Sequence, residues 1–164
     1  MAYRDTASYG KRQEYIAVAE LLRRGFDVYM TLVDDQGVDC VVRLDSERYI
    51  DLQIKARSKT AKMWNAFGPL LFEPRANYYF MFYTERDGNY WIIPSLELEP
   101  LCFKNKTGKY VGRMRVDLPK STSAKKAKQY ERFRNENGFK LLREAMNGSL
   151  TTRSTGHGKQ RRAS

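Results

Sequence analysis

The stretch "YIDLQIKARS", residues 49–58, determines the fold that we predict for this chain. Its apolar residues alternate, with Ile50, Leu52 and Ile54 on one face, and this is the period of a β-strand that buries one side. The other face carries an acid, an amide and two cations: Asp51, Gln53, Lys55 and Arg57. That composition points to a polar site on the second face of the strand.

A hairpin brings a further acid to this strand. Residues 38–44 and 48–57 form two predicted strands joined by a short loop, which favours antiparallel pairing. If Leu44 pairs with Arg48, Asp39 lies opposite Gln53, and directly opposed residues have Cβ atoms about 5 Å apart. The register therefore predicts Asp39, Gln53 and Lys55 together at one end of the hairpin.

A helix is predicted over residues 8–24, before the hairpin, with Gly25 as its stop. Its predicted apolar stripe consists of Tyr15, Val18, Ala19 and Leu22. On a helical wheel Glu14 borders this stripe, whereas Glu20 points toward water. Of the two acids, Glu14 is thus the one expected to lie beside the sheet.

The remaining pattern predicts a mixed sheet followed by helices. Further strands are predicted over 26–33, 77–84, 89–94 and 110–118, with a turn at 34–37. Residues 58–76 show no clean period, and 123–148 is predicted to be helical with a break at Asn137–Gly138. Aromatic residues of the later strands, including Trp91, are expected in the core. The fold class is therefore α/β (α+β) with one mixed sheet.

The charge indicates a polyanionic partner. The chain has 30 Lys and Arg against 19 Asp and Glu, a formal net charge of +11. Residues 147–164 hold four of the cations and no acid, so residues 1–146 still carry +7. We predict one domain over 1–146 and a basic, disordered tail over 147–164. A basic domain of this kind favours nucleic acid over a membrane as partner.

The residues that are missing restrict the chemistry. The only histidine, His157, lies in the basic tail, and Cys40 and Cys102 form no CxxC pair, which excludes a histidine base in the core and a zinc finger. Free cysteines without a signal sequence predict a cytoplasmic protein, and no apolar run reaches the ~20 residues of a membrane span. Catalysis would have to use carboxylates, lysines and a metal ion.

These residue types permit metal-assisted hydrolysis of a phosphodiester. Magnesium takes oxygen ligands, often one or two carboxylates with phosphate oxygens and water. Asp39 supplies one carboxylate, and Glu14 a second if the first helix packs beside the hairpin. Lys55 is suited to hold the attacking water and to offset charge on the phosphorus oxygens.

The order of Glu14, "GF" at 25–26, "GVD" ending at Asp39 and "QIK" at 53–55 resembles the PD-(D/E)XK nuclease superfamily. Within it the layout is most similar to archaeal Holliday-junction resolvases, and it also looks like homing and restriction endonucleases. The resemblance covers roughly residues 8–58. It implies a restriction-endonuclease-like core and magnesium-dependent cleavage of double-stranded DNA, with manganese as a substitute ion.

Carried over, the resemblance makes Glu14 and Asp39 metal ligands and Lys55 the catalytic lysine. Gln53 occupies the position of the usual acid, so a negative charge is missing from the metal site. Val38 stands where the superfamily has proline, a milder change. Two cuts in a duplex imply a homodimer or homotetramer. The alternatives are a nucleic-acid-binding module that has lost turnover at Gln53, and a structural interaction protein.

Candidate DNA contacts come from two segments. One follows the catalytic strand and comprises Arg57, Lys59, Lys62 and, further on, Arg75. The other is Lys125 and Lys126, followed by Lys128, at the start of the predicted C-terminal helical segment, where a helix N-terminus would favour phosphate. A merely solvated helix face explains the second group equally well.

Overall fold

A five-stranded mixed sheet organises the molecule, with strand order β1-β2-β3-β5-β6. The computed structural model describes residues 3–32, 37–122 and 125–146, excluding the side chains of residues 3–7. The elements are α1 (Tyr3–Arg23), β1 (Asp27–Met30), β2 (Cys40–Arg43), β3 (Tyr49–Arg57), β4 (Ala66–Leu70), β5 (Tyr78–Thr84), β6 (Asn89–Pro94), α2 (Ser95–Leu98), β7 (Phe103–Lys104), β8 (Met114–Asp117), α3 (Ala127–Tyr130) and α4 (Asn135–Met146). This architecture confirms the predicted fold class.

The central strand β3 pairs antiparallel with β2 and parallel with β5. Cys40 pairs with Leu52, and the Leu44 N–H donates to the Arg48 carbonyl at 2.9 Å. The predicted register of the hairpin is therefore confirmed. Ile50, Leu52 and Ile54 of β3 enter the core on one side of the sheet, whereas Gln53 is a buried polar residue on the other face.

Helices α1 and α4 cover the face of the sheet that presents Leu52 and Ile54. The buried stripe of α1 differs from the prediction, since it consists of Ala17, Val18 and Leu21 with Gln13 at its edge. Tyr15 and Leu22 are instead 58% and 52% exposed, and Ala19 is exposed too. The helix carries two overlapping apolar stripes, and the one that contains Ala17 lets it approach the sheet closely.

Because α1 packs on the sheet through a different face from the predicted one, the environment of Glu20 also differs from the prediction that it points to water. Its carboxylate accepts hydrogen bonds from Arg23 Nε at 2.8 Å and from Arg24 Nε at 2.6 Å. These bonds, led by the one from Arg23, lower the pKa of Glu20 to about 2. Glu20 therefore anchors two cations at the end of α1.

A second, three-stranded sheet of order β4-β8-β7 covers the other face. It packs against an aromatic row on β5, and the core here includes Phe67, Tyr78, Phe80, Phe82 and Trp91, as predicted for the later strands. Strand β4 lies inside residues 58–76, for which no element was predicted, because Gly68 and Pro69 interrupt its apolar pattern. The predicted single sheet is therefore two sheets.

The C-terminal helices break at a different residue from the one predicted. The break occurs at Asn135, the first residue of α4, whose φ of 46° lies outside the helical range. It separates α4 from α3 and the short turn that follows α3. Gly138 lies inside α4 and packs so closely on the preceding turn that a Cβ there would overlap the Phe133 carbonyl oxygen. Its glycine serves close packing, not a helix stop.

The predicted turn at 34–37 lies outside the described residues, except for Gly37. The predicted tail 147–164 lies outside them as well. Among the helices that the structure describes, none has both the length and the hydropathy needed to cross a bilayer.

We expect Gly138→Ala to destabilise the protein by about 1–3 kcal/mol, the usual cost of overpacking a core. Gly10→Ala is the matched control, because a Cβ at Gly10 meets nothing within 4 Å and alanine favours a helix by roughly 1 kcal/mol over glycine. Urea denaturation measures both. Equal stability of Gly138→Ala and the unmodified protein would contradict the packing described.

Candidate functional site

The site forms where β2 separates from β3. The Asp39 N–H still donates to the Leu52 carbonyl at 3.0 Å. At the next position the Ile54 N–H donates to Asp39 Oδ2 at 2.6 Å, so a carboxylate takes the place that a backbone carbonyl would have in a continuing strand. Thr31 Oγ1 holds the departing chain by donating to the Val38 carbonyl at 2.7 Å. Asp39 is thereby buried and fixed level with Gln53.

Gln53 is buried on the face of β3 opposite to α1. The Tyr78 hydroxyl lies 3.1 Å from both Gln53 Oε1 and the Gly37 carbonyl oxygen. Gly37 has a φ of +72°, and a Cβ there would lie 2.7 Å from Gln53 Nε2, so this close approach requires glycine. The amide of Gln53 and the tyrosine together hold the segment that leads into Asp39.

Tyr78 contacts the candidate site but was not among the site residues predicted from the sequence. It was expected only in the core, and its hydroxyl reaches Gln53 because β5 pairs in parallel with β3, Asp51 facing Tyr78. Nothing in the local pattern around residue 78 signals this long-range pairing.

Glu14 reaches the same neighbourhood from α1. Its Oε2 accepts a hydrogen bond from Lys11 Nζ at 2.7 Å. This bond raises the pKa of Lys11, and the negative charge of Asp39 adds to the effect. Burial raises the pKa of Cys40 to about 12, with smaller contributions from Asp39 and Glu14. Both carboxylates therefore lie within electrostatic range of the Lys11 ammonium group and of the Cys40 thiol.

Lys55 lies on the same face as Gln53, two residues further along β3, and is half-buried. Among the described residues its ammonium group has no ion-pair partner. The structure thus brings Asp39, Gln53 and Lys55 to one part of the sheet, while Glu14 approaches from the helix side.

The oxygen donors in this region are two carboxylates, the Gln53 amide and backbone carbonyls. Within the described parts of the chain, no three His, Cys, Asp or Glu side chains cluster as a metal-binding group. Asp51, the acid on β3, pairs with Arg75 at 2.8 Å. A donor set of two carboxylates suits Mg²⁺, which keeps several waters and needs few protein ligands.

Two of the residues predicted to contact DNA, Arg75 and Arg57, form contacts within the protein instead. Arg75 pairs with Asp51 and lies 4.3 Å from the centre of the Tyr78 ring. Arg57 Nε donates to the Ala66 carbonyl at 2.7 Å, and burial lowers the pKa of its guanidinium. Both arginines connect β3 or its neighbours to adjacent segments, which is a structural role the sequence analysis did not assign.

The predicted lysine contacts are exposed. Lys59 and Lys125 lie on the surface, and Lys62 and Lys126 line one cleft of about 390 Å³ together with Lys120. The prediction of a long helix opened by these lysines is wrong, since α3 has four residues and starts at Ala127. The argument from a helix N-terminus therefore no longer applies to Lys125 and Lys126.

By structure, the chain is similar to a bacterial homing endonuclease. That protein is I-Ssp6803I, and the superposition has a TM-score of 0.60 at 15% sequence identity, covering 85% of this chain and 94% of the other. No family model and no curated protein matches by sequence. The two chains share a fold over nearly their full length.

We expect Tyr78→Phe to loosen the Gly37–Asp39 segment, because it removes the hydroxyl that lies between Gly37 and Gln53. The loss of a buried hydrogen bond costs about 1 kcal/mol or more. Hydrogen exchange should become faster at the Asp39 and Ile54 amides. Tyr79→Phe is the control, since Tyr79 is buried against the helices, and equal exchange in the two variants would contradict this role of Tyr78.

Proposed function

We propose that this protein is a magnesium-dependent DNA endonuclease of the homing, restriction or junction-resolving type. The observation that carries the proposal is the Asp39 carboxylate, fixed by the Ile54 N–H beside Gln53 on a fold similar to that of a homing endonuclease. The formal charge of +11 supports a nucleic-acid substrate. The restriction-endonuclease-like PD-(D/E)XK identity of the site, on Glu14, Asp39, Gln53 and Lys55, belongs to this proposal.

In this proposal each residue has a distinct task. Asp39 and Glu14 hold the metal ion, Mg²⁺ or Mn²⁺ in its place, and Gln53 fixes the Asp39 segment and offers a neutral oxygen. The bound ion would polarise the phosphate and lower the pKa of a water. Lys55, with its uncommitted ammonium group, orients the attacking water and offsets charge on the phosphate oxygens.

Lys11 has a role that the sequence did not indicate. Its ammonium group binds Glu14 at 2.7 Å and lies within electrostatic range of Asp39. A cation in this position offsets the charge of the Glu14 carboxylate in the free protein. It would also compete with a metal ion for that carboxylate.

The DNA would contact the exposed lysines, and two strands would need two sites. Phosphate contacts are assigned to Lys59, Lys62, Lys125 and Lys126, which are exposed. One copy carries one candidate site, so cutting both strands of a duplex requires a homodimer or homotetramer.

The second candidate function is a DNA-binding module without turnover. It is favoured by Gln53, whose amide replaces an acid and contacts the Tyr78 hydroxyl. Such a module would bind DNA through the same basic surface and leave the phosphodiester intact.

Plasmid nicking with Mg²⁺ separates the two functions. We expect Lys55→Ala and Asp39→Asn each to lower the rate by about 100-fold or more, the usual loss when a group that stabilises transition-state charge is removed. Asparagine at 39 keeps an acceptor for the Ile54 N–H, so the fold should persist. Lys140→Ala, at an exposed lysine on α4 outside both candidate groups of DNA contacts, is the control. Binding of DNA with no cleavage even by the unmodified protein would support the module instead.

A metal titration tests the role of Lys11. We expect Lys11→Met to bind Mn²⁺ about fivefold more tightly, because removal of one positive charge a few ångströms from the ion is worth about 1 kcal/mol in a high dielectric. Lys11→Arg, which keeps the charge, should match the unmodified protein. Isothermal titration calorimetry measures both affinities. An unchanged affinity in Lys11→Met would place the metal elsewhere.

A further inference from the structure

Residues 103–117 form a hairpin with a marked charge, here called the basic hairpin. It consists of β7, β8 and the connecting loop 105–113. Its one acid, Asp117, pairs with Arg115 at 3.0 Å. The other cations are Lys104, Lys106, Lys109 and Arg113. Residues 106–113 are all exposed and contain three cations and no acid, so this loop attracts a polyanion.

The loop of the basic hairpin is ordered by its own hydrogen bonds. Asn105 N–H donates to the Arg113 carbonyl at 2.9 Å, and Gly112 N–H donates to the Asn105 carbonyl at 2.9 Å. The tip closes with a bond from Val111 N–H to the Gly108 carbonyl at 3.1 Å. These bonds extend the two-stranded ribbon beyond β7 and β8. A partner would therefore meet a preformed element with little ordering entropy to lose.

Apolar side chains accompany the cations on this ribbon. Phe103, Tyr110 and Val111 are 57%, 46% and 61% exposed, and Lys109 Nζ lies 5.6 Å from the centre of the Tyr110 ring. The major groove of DNA, about 12 Å wide, accepts a two-stranded β-ribbon, whose apolar side chains contact thymine methyl groups. Cations on the same ribbon can bind the phosphates that border the groove. The mixed composition of the tip fits this partner.

A series of contacts connects the base of the basic hairpin to the candidate site. Its base residue Met114 pairs with Leu70 of β4. Two residues after Leu70, the Phe72 ring lies 6.4 Å from the Tyr78 ring, and the Tyr78 hydroxyl contacts Gln53. The strand that carries the hairpin is thus joined through β4 to the residues that hold the site.

We propose that the basic hairpin enters the major groove of double-stranded DNA, with Lys106 and Lys109 on phosphates and Tyr110 and Val111 on base edges. The inference rests on the proposed function, because it takes DNA as the substrate. The inference adds the structural element that would bind the duplex and contact its base edges.

Fluorescence anisotropy on a labelled DNA duplex, in EDTA and over a range of KCl concentrations, tests the phosphate contacts. The double variant Lys106→Ala/Lys109→Ala should bind less tightly, and the slope of log Kd against log salt should fall by about 2, since each lost phosphate contact removes about 0.9. The charge-matched control is Lys140→Ala/Arg143→Ala, two exposed cations on α4 that lie in neither candidate group of DNA contacts. An identical slope in the two double variants would overturn the inference.

A second comparison tests the base contacts. The preferred sequence is first selected from a random duplex library and then synthesised with thymine or with uracil, which lacks only the major-groove methyl group. The unmodified protein should bind the thymine duplex more tightly, whereas Tyr110→Ala/Val111→Ala should bind both equally. Equal binding by the unmodified protein would exclude apolar contacts in the major groove.

The outcomes separate this inference from the proposed function. If Lys106→Ala/Lys109→Ala behaves like its control while Mg²⁺-dependent nicking still requires Lys55, the hairpin inference is wrong and the nuclease proposal stands. If the hairpin variants lose affinity as expected while Lys55→Ala nicks normally, the reverse holds. An unmodified protein that binds no DNA would overturn both.

Discussion

One hydrogen bond, from the Ile54 N–H to Asp39 Oδ2 at 2.6 Å, connects the fold of this protein to its candidate chemistry. Strand β2 leaves β3 at this point, and a buried N–H without a partner would cost about 1–3 kcal/mol. The carboxylate satisfies that N–H and is held in place by it. Gly37, Gln53 and Tyr78 contact one another and keep the departing chain where this bond can form.

The same arrangement explains how glutamine can stand where a third acid is expected. Gln53 is buried, and an uncompensated carboxylate in a buried position is costly, whereas an amide can be satisfied by the Tyr78 hydroxyl. The negative charge of the site then rests on Asp39 and on Glu14, whose partner in the free protein is Lys11. Burial of position 53 therefore favours the amide, whereas a carboxylate there would add negative charge to the proposed metal site.

Local patterns predicted the parts of the fold that depend on neighbours in sequence. The alternation of β3 and the short loop at 45–47 were sufficient to fix the register that places Asp39 level with Gln53. The prediction of the buried face of α1 was wrong because the helix carries two apolar stripes. Packing against the sheet decides that the stripe with Ala17 is buried and that Tyr15 is exposed. The contact of Tyr78 with Gln53 depends on the long-range pairing of β5 with β3, for which the sequence has no local signal.

The most direct test of the central claim is anomalous diffraction from crystals grown with Mn²⁺. We predict a manganese peak between the carboxylates of Asp39 and Glu14, with metal–oxygen distances of about 2.1 Å, as for magnesium, and with Lys11 Nζ displaced from Glu14. A well-ordered site with no peak between these two carboxylates, or a peak bound by other residues, would contradict the account.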